Sequence, residues 1–172
     1  ETAIQELPKG DRAADRTRKR IEQRIEQMEQ RFGAKTGQGD DVLTFGEMGV
    51  DMLYVDEAHE FRKLDFVTNR TNVKGITPEG SRRALDLYIK IKALSEKRPG
   101  RSHVLASGTP VTNTLAELYS IQRYMDEDSL EADGFRAFDS WAAQFGEVES
   151  FDERNAAGTY EVVERFAKFV NV

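Results

Sequence analysis

The sequence predicts an α/β chain built on a parallel sheet with flanking helices, and three observations predict it. Two short apolar runs, within "MLYVDEAH" at 52–59 and "HVLASGTP" at 103–110, have the length of strands. Between and after them, apolar residues recur at helical spacing. Strand and helix alternate, which is the pattern of crossover connections between parallel strands.

Each element has its own warrant. Residues 11–32 predict a helix, because Ile21, Ile25, Met28 and Phe32 repeat at helical spacing and Gly33 is a natural stop. "GAKTGQGDD", 33–41, is turn-rich. "VLTF", 42–45, predicts a short strand, and "FGEMGVD" a brief helical turn. The consecutive apolar residues of 52–55 predict a strand buried on both faces. Residues 66–80 are polar and irregular, with Gly75, Pro78 and Gly80. Residues 81–97 predict a helix with Ala84, Tyr88 and Ile91 on one stripe, beside Leu87 and Leu94. "TLAELYSIQRYM" predicts another, with Thr114 and Glu117 as a capping box. Residues 135–145 place Phe135, Phe138, Trp141, Ala142 and Phe145 on one helical face, the signature of a core face rather than a ligand platform. Val163, Phe166 and Val170 predict a last helix over 160–170. The organisation expected is a charged amphipathic segment, 1–33, followed by a sheet-bearing unit, 34–172. Three strands make a small sheet, and an open edge would offer a pairing site to a second copy.

Composition narrows the function classes. With 172 residues, 38% hydrophobic and 33% charged, the chain can bury a modest core. Mean hydropathy is −0.63, and no apolar run approaches the roughly 20 residues of a membrane-spanning helix. The opening "ETAIQELPKG" has no initiator Met and no apolar leader, so it reads as the interior of a longer protein. There is no cysteine, which excludes disulfides and thiolate metal sites and fits an intracellular, cytoplasmic setting. Two histidines, His59 and His103, are too few for a His-rich metal centre. The net charge is −6, yet its distribution is uneven. Bases dominate from Arg62 to Arg101, among them Arg82, Arg83 and Lys90; acids dominate from Asp126 to Glu153, where Arg136 is the lone base. The basic stretch reads either as solvated helix faces or as a surface that meets phosphates.

The chemistry-bearing residues sit at two strand ends. Ligands of open α/β sheets bind at the carboxyl edge, where Asp56 and Glu57 follow the first apolar run. Asp56 has the right group to hold a nucleotide's Mg²⁺ through water. Glu57 can orient or deprotonate an attacking water. About fifty residues on, Ser107, Gly108 and Thr109 end the second run, and their hydroxyls are expected to reach His59 or the surroundings of Asp56. Ordinary turn and cap chemistry also favours Gly, Thr, Pro110 and Asn113. The two motifs in this order are the informative observation.

These residues carry a resemblance. "DEAH", 56–59, resembles motif II of superfamily-two helicases and translocases, and "SGTPVTNTLAELYSI" resembles motif III of their SWI/SNF-like branch, in the residues Gly108, Thr109, Pro110, Asn113, Glu117 and Leu118. Ser107 replaces the usual first Thr, and Arg62-Lys63 stands where the branch has Lys-Asn. "TFGEMGVDMLYVDEAHEFRKL", "NVKGI", "FDSWAAQFGE" and "RFAKFVNV" extend the likeness to the helicase portion of large phage- and plasmid-borne DNA methyltransferase–helicase proteins. The resemblance implies a RecA-like, P-loop NTPase-type lobe. It implies Mg²⁺ and ATP as cofactors of the longer protein, with Asp56 and Glu57 catalytic and Asp56 holding the metal through water. It implies that His59, Ser107, Gly108 and Thr109 couple hydrolysis to movement on DNA. Arg82, Arg83, Lys90 and Asn113 are candidate DNA contacts.

A phosphate loop, G-x-x-x-x-G-K-[ST], needs backbone N–H groups to cradle phosphates. "GAKTG" is the only candidate; Ala34 occupies its second Gly position, and it follows a helix instead of a strand. The resemblance implies that this loop and the first strands lie upstream, and that an arginine finger lies in a second lobe downstream. The expectation is therefore a partial helicase lobe, inactive alone and without tightly bound cofactor, whose partners are DNA and the rest of its own protein. Two other readings stand beside it: a non-catalytic DNA- or protein-binding module using the basic 62–101 region, and a structural insert using the acidic 126–153 region as an interface.

Overall fold

A computed structural model describes residues 12–35, 45–70, 72–112, 114 and 116–171, which form a mixed α/β chain with one parallel and one antiparallel two-stranded sheet. Helix α1, Arg12–Lys35, runs through Gly33 instead of stopping there. Glycine costs a helix only about 1 kcal/mol relative to Ala, which a last turn tolerates. Half-buried Ile21 and Ile25 face inward, and charge fastens the helix: Arg24 Nη1 lies 2.6 Å from Asp65 Oδ2 and Arg20 lies 3.0 Å from Glu79. The side chains of Met28 and Phe32, and residues 42–44 of the expected "VLTF" strand, lie outside the described residues. Phe45–Gly49 is a turn without a helix.

Strands β1, Leu53–Val55, and β2, His103–Leu105, pair in parallel with Leu53 opposite His103 and Val55 opposite Leu105. Each is only three residues long. Leu53, Val55 and Leu105 pack toward helices α2, Arg82–Lys97, and α3, Ala116–Ala132. The other face is bare: Tyr54 is 76% exposed and Val104, directly opposite it, 41%. Burial on both faces, expected from the apolar run, is thus corrected, because the described residues put a helical layer on one side only.

Ser81 caps α2 by accepting the Ala84 N–H at 3.2 Å, and the helix buries Ala84, Leu87, Ile91 and Leu94 while Tyr88 is half-buried. Helix α3 is central, since Ile121 and Tyr124 join this core whereas Ala116 and Tyr119 join a second, aromatic one. It breaks at Asp126 (φ −160°, ψ 75°), whose carboxylate accepts Ser129 N–H and Oγ–H at 3.0 and 2.7 Å. Asp126 therefore acts as the N-cap of a second short helix. Helix α4, Phe138–Phe145, buries Phe138, Trp141 and Ala142 against Phe66 and Phe166, the core face expected of it.

The expected C-terminal helix is absent. Residues Gly146–Arg154 and Tyr160–Phe169 form an antiparallel hairpin, β3 and β4. Val163 and Phe166 lie in unbroken register opposite Phe151 and Val148, so the pleat sends them to opposite faces of the hairpin, and each is buried on its own face. Two buried positions three residues apart, one on each face, imitate helical spacing. The other edge of β4 bonds to the irregular 66–80 segment through Lys74, with Lys74 N–H to Glu164 O at 2.8 Å and Phe166 N–H to Lys74 O at 3.1 Å. The hairpin is thereby sewn to the body of the chain.

Candidate functional site

The sheet's backbone pairing continues past both strand ends. Ala106 N–H donates to Val55 O and Ala58 N–H to Ala106 O, each at 2.9 Å. The turns 56–59 and 106–109 are therefore held side by side at the carboxyl edge. Ala58 is fully buried, so this close approach leaves no room for a larger side chain. A short 3-10 helix, Ala58–Phe61, leads away from the edge.

Asp56 and Glu57 are both exposed. Asp56 Oδ1 accepts the Glu57 N–H at 2.9 Å, which leaves Oδ2 open. Glu57 has a left-handed backbone (φ 51°, ψ 45°), a conformation that costs a non-glycine residue roughly 1–2 kcal/mol and is held by the pairing on either side. It turns the Glu57 carboxylate toward His59, with Oε2 3.0 Å from Nδ1. His59 Nδ1 also lies 3.3 Å from Ser107 Oγ, the contact expected between the two strand ends. His59 Nε2 lies 3.6 Å from Glu60 Oε1, so carboxylates face both ring nitrogens. Ser107 Oγ accepts in turn from Thr109 N–H at 3.2 Å. One imidazole thus bridges the turn after β1 and the turn after β2.

Gly108 and Thr109 are exposed, and a Cβ at Gly108 would meet nothing within 4 Å. The local fold gives no reason for glycine there. Asn113 lies outside the described residues. The expected capping box is replaced by another arrangement. The carboxylate of Glu117 accepts Thr112 N–H through Oε2 at 2.9 Å, while Oε1 lies 2.9 Å from Arg62 Nε. The Nε–H is not aimed at that oxygen, so the contact is charge pairing without a formed hydrogen bond. Sequence spacing pointed to Glu117 as a cap and did not point to Arg62 as its partner.

The candidate DNA contacts are dispersed and engaged. Arg82 donates to Gln27 Oε1 at 2.9 Å, Arg83 Nη2 lies 2.6 Å from Glu60, and Lys90 lies 2.5 Å from Asp86. A groove of about 800 Å³ lies between α2, β2 and α3, lined by Ile91, His103, Tyr124 and Asp126 among others. It includes His103, at the amino end of β2 and so at the opposite end of the strand from Ser107. Burial holds His103 below the usual histidine range, and Ser102 Oγ lies 2.8 Å from its Nδ1. Among the described residues no three His, Asp or Glu side chains cluster as a metal site, and no helix is long and apolar enough to cross a membrane. Asp56, with one free oxygen at an open edge, suits a cation held mainly by a nucleotide's own phosphates.

No curated protein and no solved structure matches the chain. A family described as a probable helicase domain matches residues 5–172. With nearly its whole length covered and its two strand-end motifs in contact, the chain belongs to that probable helicase domain family.

Proposed function

We propose that this chain is part of the ATP-binding lobe of a DNA helicase or translocase. Asp56 and Glu57 serve hydrolysis, and His59, Ser107, Gly108 and Thr109 pass its outcome on to DNA. The observation that carries the reading is the His59–Ser107 contact. It joins the residue that senses Glu57 to the hydroxyl of the neighbouring strand end. A change in what Glu57 touches alters the partner of His59 and therefore the turn at 107–109. Asp56 would hold Mg²⁺ through water, and the ion, when bound, would neutralise phosphate charge. The open space at Gly108 supports close approach of another molecule.

The bare face of β1 and β2 supports a further covering layer in the whole lobe, because parallel strands are ordinarily covered on both faces. The SWI/SNF-like motif pattern and the likeness to methyltransferase–helicase proteins belong to the same proposal. So does the expectation that this chain alone is inactive, lacking a phosphate loop. The test is ATP hydrolysis with and without DNA, by this chain and by a longer protein containing it. DNA-stimulated turnover should occur only in the longer protein and fall at least 100-fold in Glu57→Gln, in line with loss of a general base. Full activity of that variant would refute the role of Glu57, and turnover by the 172-residue chain would refute its dependence on further elements.

A further inference from the structure

Two turns that change together need a common anchor, and α3 supplies one. Tyr124 donates its hydroxyl to Phe61 O at 2.9 Å, at the end of the 3-10 turn. Two helical turns earlier on the same face, Glu117 meets Arg62, the next residue of that segment. The other oxygen of Glu117 holds Thr112 N–H, in the loop that continues from Ser107–Thr109. One carboxylate therefore grips both sides of the His59–Ser107 contact.

The burial of this pair is informative. The Glu117 side chain is 6% exposed and that of Arg62 15%. Burying two charges costs about as much as their attraction returns, so such a pair adds little net stability over an apolar one. What it adds is position, because each oxygen is committed to a different segment. We infer that Glu117 and Arg62 are a positioning pair that sets the His59–Ser107 geometry. The pair acts through His59 without touching a substrate, and the inference rests on the coupling proposed above.

The chain contains two histidines, so the second is an internal control. The experiment is ¹H–¹³C NMR of the 172-residue chain with labelled histidine, at fixed pH and without nucleotide or DNA. In Glu117→Gln and in Arg62→Met the His59 ring signals should move by more than a linewidth, while His103 stays in place. Arg62→Lys keeps the charge and should leave both signals where they were. A merely structural role would loosen the fold without singling out His59. The inference is overturned if His59 is unmoved in a folded Arg62→Met chain, or if Arg62→Lys moves it as far as Arg62→Met. Should Glu117→Gln not fold, Arg62→Met decides, because Arg62 is the more exposed of the two. ATP is absent throughout, so a negative result leaves the nucleotide reading intact, and a failed ATPase assay leaves this result intact.

Discussion

Replacing Glu127 by Gln should expose the electrostatic bolt between α2 and α3, and only above acid pH. Glu127 follows the break at Asp126 and accepts from three side chains. Arg123 Nε lies at 2.9 Å, Lys92 Nζ at 2.8 Å, and the Tyr88 hydroxyl closes the set. Arg123 in turn donates to Asp65 O at 2.8 Å, which extends the network to the loop after the 3-10 turn. Burial alone would raise the Glu127 pKa, but Arg123 and the hydrogen bonds win and lower it from 4.5 to about 2. At about 1.36 kcal/mol per tenfold in proton affinity, that depression is worth about 3 kcal/mol of stability. The sign follows from the lowered value: the contribution is complete above the unfolded value of 4.5 and is lost as pH falls toward 2. The assay is urea unfolding followed by the fluorescence of Trp141, the only tryptophan, for both chains from pH 7 to pH 3. At pH 7 the variant should be less stable by about 3 kcal/mol, and the gap should narrow below pH 4.5. A gap that is the same at pH 7 and pH 3 would refute the charge argument, and a gap under about 1 kcal/mol at pH 7 would refute the network.

Four other substitutions test the packing. Tyr124→Phe removes a buried hydroxyl whose single O–H is shared between Phe61 O and Ala84 O, and should cost about 1–3 kcal/mol in the same urea assay. Gly80→Ala places a Cβ 2.4 Å from Asp65 N, against the residue that holds α1 through Arg24; it should lower the melting temperature and reduce helical circular dichroism as α1 detaches. Tyr54→Ser should change stability by less than about 0.5 kcal/mol, because its ring is in water in this chain, whereas Phe138→Ala should cost about 3–5 kcal/mol. A costly Tyr54→Ser in this chain would show that the sheet face is covered after all.

Much of the fold was legible in the sequence where the local pattern and the tertiary environment agree. Helix α2 is announced by Ala84, Leu87, Ile91 and Leu94, and these are the residues it buries. Helix α4 is equally plain, since Phe138, Trp141 and Ala142 can share a face only in a helix. The hairpin was illegible for two physical reasons. In β3, "GEVESFDER" is rich in acids that pair across the ladder, Glu149 with Lys168 and Glu153 with Arg165, while Glu153 also meets Lys74 beyond β4, and polar pairs leave no apolar period to read. In β4, burial on both faces leaves Val163 and Phe166 three residues apart, and a period of three to four is what a helix shows. The exposed Tyr54 and Val104 failed in another way: apolar runs predict burial of both faces, and only tertiary structure says which faces have a partner.

At the candidate site the sequence revealed residues and the structure revealed their joints. Asp56, Glu57 and His59 could be placed at a strand end from an apolar run meeting charge, and Ser107–Thr109 from the next one. Their proximity depends on register, which the short strands fix by only three residue pairs and the backbone bonds at Ala58 and Ala106 extend. A one-residue slip of either strand would turn its exposed residue, Tyr54 or Val104, inward and move Ser107 away from His59. The register must then be enforced from outside so short a ladder. Tyr124 and Glu117 do that, binding Phe61, Arg62 and Thr112 to one helix. The apolar packing of α3 holds the sheet together, and its polar face holds the two turns in phase; the chemistry proposed for Glu57 and Ser107 depends on the second.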